Sequence, residues 1–229
     1  MSRFRILVIS FVTFSFMGGL VTPASAQIEL EDELVMERPI PALNTIWIEE
    51  MTWIEIRDAL AEGKRTAIVP TGGIEQNGPY VAMGKHNYVL EGMCERIARM
   101  LGDALCAPII KLVPEGGINP PTGHMRYSGT LSVRQETFEA MLEDVGRSLH
   151  QHGFEWIVFI GDSGGNQTGM QNAANLLNEE WGTEKALFIP EFYDNAGVQL
   201  HMEETVSYTH LRAHETLRYR VCRVVLEKK

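Results

Sequence analysis

Cysteine is scarce in this 229-residue chain, with three residues in all and none at the close spacing of a metal or redox motif. That count excludes a disulfide-dense scaffold and a cysteine-built metal cluster. Cys94 falls in a helical pattern and Cys106 at the start of an apolar strand, where buried free thiols are the expectation rather than a bridge. Positive charge is also short through the body of the chain: residues 27–205 carry 12 Lys/Arg against 28 Asp/Glu, a net charge of −16. Such a surface repels phosphates and anionic lipid heads, so nucleic acid and membrane partners are not expected. Long hydrophobic runs are missing except at the start. There Arg3 and Arg5 precede "ILVISFVTFSFMGGLV", and "TPASAQ" follows with Ala24 and Ala26 flanking Ser25. The run is about 16 residues against the roughly 20 of a spanning helix. Residues 1–26 therefore read as a cleaved signal peptide, giving an exported, periplasmic protein that starts at Gln27 and keeps no stable membrane anchor.

What is present is ordinary for one globular α/β domain: 45% apolar and 22% charged residues. The exception is residues 206–229, "VSYTHLRAHETLRYRVCRVVLEKK", with six Lys/Arg to two Glu. "SYTHLRAHET" resembles translated sequencing-adapter read-through, so a non-native tail is expected, the alternative being a basic helix lying on the acidic body. His210, His214 and Cys222 are set aside with it. Residues 27–46 read as an extended arm, because "ERPIPALNTI" cannot hold a helix through Pro39 and Pro41.

From 47 to 205 helical and strand patterns alternate. Thr52 and Glu55 form a capping-box pair before a helix with Trp53, Ile56 and Leu60 facing inward and Gly63 as its stop. "RTAIV" is a buried strand. "YVLEGMCERIARMLG" is an amphipathic helix with Leu90, Met93, Ile97 and Leu101 on one face, and "ALCAPIIKLVPEG" is a second strand. A helix with Phe138, Met141, Leu142, Val145 and Leu149 inward leads to the continuously apolar strand "WIVFIG", then a helix over 168–181 and a last strand in "ALFIPEFYD". The alternation predicts an α/β fold with a mostly parallel central sheet and helices on both faces, a three-layer sandwich.

Three loops after strand ends carry the chemistry: "GGIEQNGPYVAMGKH", "GGINPPTGHMRYSGT" and "GDSGGNQ". In open α/β sheets that edge is where ligands bind. Glu75 and His86 sit at opposite ends of the first loop, a carboxylate and an imidazole that can make half of a metal site; taken singly they are a turn acid and a helix-start histidine. In the third, Asp162 and Ser163 precede two glycines. That pattern fits a tight turn capped by either residue, a phosphate cradle, or a nucleophile elbow with Gly161 and Gly165 around Ser163. The missing Walker-type lysine and Asp162 itself argue against the cradle.

Taken together and in order, "PTGGIEQNGPYVAMGKH", "GHMRYSGTLSV" and "GFEWIVFIGDSGGN" resemble the creatininase family of metal-dependent amidohydrolases over approximately residues 50–195. The resemblance implies a centre of zinc or manganese, hydrolysis of a C–N bond in a small cyclic or linear amide, and a homo-oligomer, often a hexamer. Glu75 falls on a family ligand glutamate. Asn77 stands in place of a ligand histidine, His86 in place of a bridging aspartate, and Ser163 in place of another ligand histidine. An imidazole does not bridge two ions, so one ion is expected rather than two, held by Glu75, His86 and Asp162. His124, Asn77 and Ser163 are the expected substrate or catalytic positions. The family's later H-A-G-E segment is not found, and a lost native C-terminus is expected. Two competing readings are a non-catalytic relative that binds a small polar ligand and a serine hydrolase using Ser163.

Overall fold

The computed structural model describes residues 32–193. The expected signal peptide and the basic tail lie outside the described residues. The chain divides into two units, Met1–Pro39 and Ile40–Lys229. In the first, residues 32–34 are helical, and Glu33 accepts a hydrogen bond from the Met36 backbone N–H.

Helix α1, Trp53–Ala61, starts where its capping box dictates: Thr52 Oγ1 accepts from the Glu55 N–H, and the Glu55 carboxylate accepts from the Thr52 N–H. Glu55 also accepts from the Leu43 N–H, which turns the Ile54–Glu55 side of the helix inward. Trp53, expected in the core, lies on the outer face beneath the Arg57 guanidinium. The cap fixes the phase of the helix, and the three-residue spacing of apolar residues does not.

Strand β1, Thr66–Thr71, is followed by helix α2, Lys85–Leu101, and strand β2, Ala104–Cys106. Then come helix α3, Gln135–Gln151, strand β3, Trp156–Gly161, helix α4, Gln167–Trp181, and strand β4, Ala186–Phe188. The four strands form one parallel sheet in the order β2-β1-β3-β4. Ala67, Ile68 and Val69 of β1 and Ile157, Val158, Phe159 and Ile160 of β3 are fully buried, because both faces of these central strands are covered. Each such aliphatic or aromatic side chain contributes about 1.5–3 kcal/mol by leaving water. Strand β2 is shorter than expected. Beyond Cys106 the chain still runs beside β1, with Ile110 donating to Pro70 O and Gly72 to Ile110 O, but Pro108 has no N–H to continue the ladder.

Right-handed crossovers place α2 on one face of the sheet and α3 and α4 on the other. The chain therefore leaves β1 and its neighbour β3 toward opposite faces. Gly72 and Asp162, the residues that follow the paired Thr71 and Gly161, open the crevice where ligands bind in folds of this kind.

One expectation about the core is corrected. Cys94 of α2 and Cys106 of β2 are joined as a disulfide, not held as free thiols. Both sulfurs are buried against each other where α2 packs on the sheet edge, a tertiary contact that their spacing of 12 does not announce. Among the described residues no helix is long and apolar enough to cross a membrane.

Candidate functional site

The first loop needs its glycines for close approach. A Cβ on Gly72 would lie 2.0 Å from Asn87 Oδ1, and one on Gly73 would lie 2.3 Å from Glu115 Oε1. Two buried asparagines hold this backbone. Asn87, in the first turn of α2, accepts from the Gly73 N–H and donates to Gly73 O. Asn166, just before α4, donates to Thr71 O and Gly72 O. The strand exit is thus pinned from both flanks, which fixes where Glu75 leaves the sheet. The third loop is clamped similarly, since a Cβ on Gly165 would meet Pro114 O of the second loop at 2.4 Å.

These loops bring Glu75, His86, Glu115, His124, Asp162 and Ser163 around one cavity of about 340 Å³. At its floor the His86 imidazole lies between two carboxylates: Nε2 is 2.7 Å from Glu75 Oε1 and Nδ1 is 2.8 Å from Asp162 Oδ2. His86 is 2% exposed and Asp162 1%, so this is an ionic chain shielded from water. Burial works to lower the His86 pKa, but the hydrogen bonds to Asp162 and Glu75 and the Asp162 charge outweigh it and raise the ring above its usual value. Both ring nitrogens thus face a carboxylate, an arrangement that favours the protonated ring.

Glu75 has two further neighbours. His124 Nε2 approaches its Oε2 at 3.3 Å, while His124 Nδ1 is 3.4 Å from Gln76 Nε2. The Glu115 carboxyl hydrogen-bonds it from the second loop. Burial alone would raise Glu75, yet the hydrogen bonds with His86 and Glu115 and the nearby imidazoles hold it down at about 2. Glu115 goes the opposite way: burial first, then the Glu75 carboxylate beside it, push it to about 10. The two carboxyls are pushed in opposite directions, as neighbours that cannot both ionise freely are.

Of the expected metal ligands, Glu75, His86 and Asp162 are brought together. His124 joins them at the cavity mouth, with 39% of its side chain exposed. Ser163 lines the wall and is buried, but its hydroxyl makes no hydrogen bond to either imidazole, and both His86 nitrogens are engaged elsewhere. Asn77 is not brought to the cavity: its amide donates to the backbone oxygens of Glu75, Ala82 and Met83, holding the loop closed. Glu115 is the site residue that sequence reasoning missed. Its signal was an acid placed directly before Gly116–Gly117, at the start of the long loop that follows the second apolar run on the same sheet edge.

The fold and site together define an open parallel α/β protein with a buried histidine–carboxylate cluster at the switch point of its sheet. The chain belongs to the creatininase family: the family model for creatinine amidohydrolase matches residues 49–219. Creatinine amidohydrolase of Pseudomonas putida is 26% identical over 116 residues, 51% of this chain and 44% of that protein. The mycofactocin precursor peptide peptidase of Mycobacterium ulcerans (strain Agy99) is 25% identical over 115 residues, 49% of this chain and 46% of that one. The chain thus spans less than half the length of these curated relatives. A crystal structure of creatinine amidohydrolase (creatininase) superposes with a TM-score of 0.62 at 21% identity, over 72% of this chain and 66% of that one. A mutant creatininase of Zn-Zn type gives 0.60 at 20% identity over 72% and 66%, and a Mn creatininase 0.59 at 21% over 69% and 64%. These likenesses show the three-layer fold.

Among the described residues no three His, Cys, Asp or Glu side chains already stand as a ligand set for an ion. Their donor atoms are engaged with one another instead. In kind and in burial, however, the donors fit a divalent cation. Two imidazoles and three carboxyls share one cavity, these are ligand types for zinc and manganese, and Glu115 Oε1 is a buried oxygen with no hydrogen-bond partner among the described residues. Binding requires the His86–Glu75 contact to open.

Proposed function

We propose that this protein hydrolyses a C–N bond in a small cyclic or linear amide, with one divalent ion, zinc or manganese, held by Glu75, His86 and Asp162. The observation that carries the reading is the convergence of these three residues with His124 in one cavity at the sheet's ligand edge. Support comes from the two curated relatives, a creatinine amidohydrolase and a peptide peptidase, whose names share amide hydrolysis. When bound, such an ion supplies Lewis acidity toward an amide carbonyl and toward water.

The chain's own residues do the rest. Asp162 fixes the His86 ring through Nδ1 and holds Nε2 toward Glu75. Against its burial, the hydrogen bonds with His86 and Glu115 hold the Glu75 carboxyl well below the usual carboxylate range. His124, at the mouth, is oriented by Glu75 on one side and Gln76 on the other, and it delivers a proton to the leaving nitrogen. The cavity, about 340 Å³, suits a small substrate or one residue of a larger one. Amine release from a panel of small cyclic amides and short peptide amides tests this. Wild type turns over at least one member and Glu75→Gln none; equal rates for both would contradict the reading.

A second reading, a relative that binds a small polar ligand without catalysis, is favoured by the engagement of both His86 nitrogens with carboxylates. Saturable ligand binding by protein that takes up no metal would select it. The setting we propose is an exported, periplasmic one after cleavage of residues 1–26, and the Cys94–Cys106 disulfide supports an oxidising compartment. Mass spectrometry of the secreted N-terminus checks the cleavage. The hexameric homo-oligomer is carried by the family resemblance alone, and light scattering checks it.

A further inference from the structure

We propose that Glu115 is a further donor to the ion, compensating for the family ligand positions occupied here by Asn77 and Ser163. The inference rests on the metal reading above. It stands on three observations outside the expected ligand set.

First, the backbone at Glu115 is held rigidly: its N–H donates to Ser132 Oγ at 3.0 Å and its carbonyl accepts from the His124 N–H at 3.0 Å. The preceding residue, Pro114, is pressed against Gly165 of the third loop. Second, the side chain is 5% exposed and lines the same cavity as Glu75, His86, His124 and Asp162. It reaches there only because Gly73 has no Cβ, whose position lies 2.3 Å from Glu115 Oε1. Third, that oxygen is buried and meets no hydrogen-bond partner among the described residues.

A purely structural part for Glu115 would be to hydrogen-bond Glu75. A glutamine does that as well, without bringing a third carboxyl into a cavity that already holds two. A carboxyl oriented by its backbone, admitted by a glycine and left with an unmatched oxygen is what a cation ligand requires. Neither Asn77 nor Ser163 meets that requirement: the amide is turned onto the loop backbone, and a neutral hydroxyl is a weak donor to zinc or manganese.

The test separates the two parts. Zinc and manganese binding to the whole protein is measured by equilibrium dialysis with elemental analysis, and by the rise in melting temperature on adding each ion. Wild type is expected to bind one ion. Glu115→Gln keeps the hydrogen bond to Glu75 and is expected to melt within a few degrees of wild type without ion, to bind roughly 10- to 100-fold more weakly, and to lose most of the ion-induced rise. Glu115→Asp, which keeps the charge but not the reach, is expected to bind more weakly as well and serves if the glutamine variant does not fold. Wild-type affinity in both variants would overturn the assignment of Glu115 while leaving the metal reading intact. Absence of binding by wild type would overturn the metal reading and this inference with it.

Discussion

Replacing His86 with alanine removes the centre of a three-member buried ionic chain. Its side chain is 3% exposed, between an Asp162 side chain at 0% and a Glu75 side chain at 10%, with contacts of 2.8 and 2.7 Å. Removing it leaves two carboxylates facing each other out of water, and breaking a buried pair in this way costs about 3–5 kcal/mol. Two lost hydrogen bonds between charged groups, at about 1.5–3 kcal/mol each, give an overlapping range of about 3–6 kcal/mol. With a urea m-value of about 2 kcal/mol/M, the midpoint of the metal-free protein should fall by about 2 M. The pH dependence carries a sign. His86 is raised above its usual value of 6.5, so its contribution is fully present below 6.5 and lost as pH rises through the raised value. Glu75 is lowered from 4.5 to about 2, so its contribution is present above 4.5 and lost as pH falls through about 2. The deficit of His86→Ala should therefore be largest between about pH 4.5 and 6.5 and shrink on the alkaline side. Urea titrations of both proteins in chelator at pH 5.5 and pH 9 read it directly. A deficit under about 1 kcal/mol at pH 5.5, or one that is larger at pH 9 than at pH 5.5, would refute the ionic account of the cluster.

Three other outcomes follow from the same geometry. Replacing Cys94 and Cys106 together by alanine should lower stability by about 3 kcal/mol, the chain-entropy value for so short a loop, and reduction of wild type should reproduce most of that loss in chemical denaturation. His124→Ala should cut kcat by about 10²-fold or more while leaving the melting temperature nearly unchanged, because the ring is partly exposed; unchanged turnover would remove it from the mechanism. Asn77→Ala should cost about 1 kcal/mol per lost loop hydrogen bond without changing ion affinity, and a large loss of affinity with full stability would return Asn77 to the site.

Periodic segments were the legible part of this fold. The capping box at Thr52, the run "WIVFIG" and the helix stop at Gly102 each announce themselves through a local rule that no tertiary contact overrides. What the chain did not announce depends on contacts distant in sequence. Trp53 has the spacing of a core residue, yet the buried side of the helix is the one carrying Ile54 and Glu55, where Glu55 also receives the Leu43 N–H. The union of Cys94 and Cys106 depends on α2 lying along β2. The site divides in the same manner. Glu75 and Asp162 were legible because each follows a buried strand closely. Asn77 and Glu115 were not, because one side chain turns back onto its own loop and the other reaches across into a neighbouring loop through the space above Gly73. The glycines that looked like turn residues serve as room for side chains from elsewhere.

The most direct test of the account is the metal dependence of hydrolysis. Protein stripped by a chelator and dialysed is assayed on a small amide substrate before and after zinc or manganese is added back at increasing ratios. The account predicts no turnover by the stripped protein and recovery that saturates near one ion per chain. Full turnover by the stripped protein, with no gain on adding either ion, would contradict it.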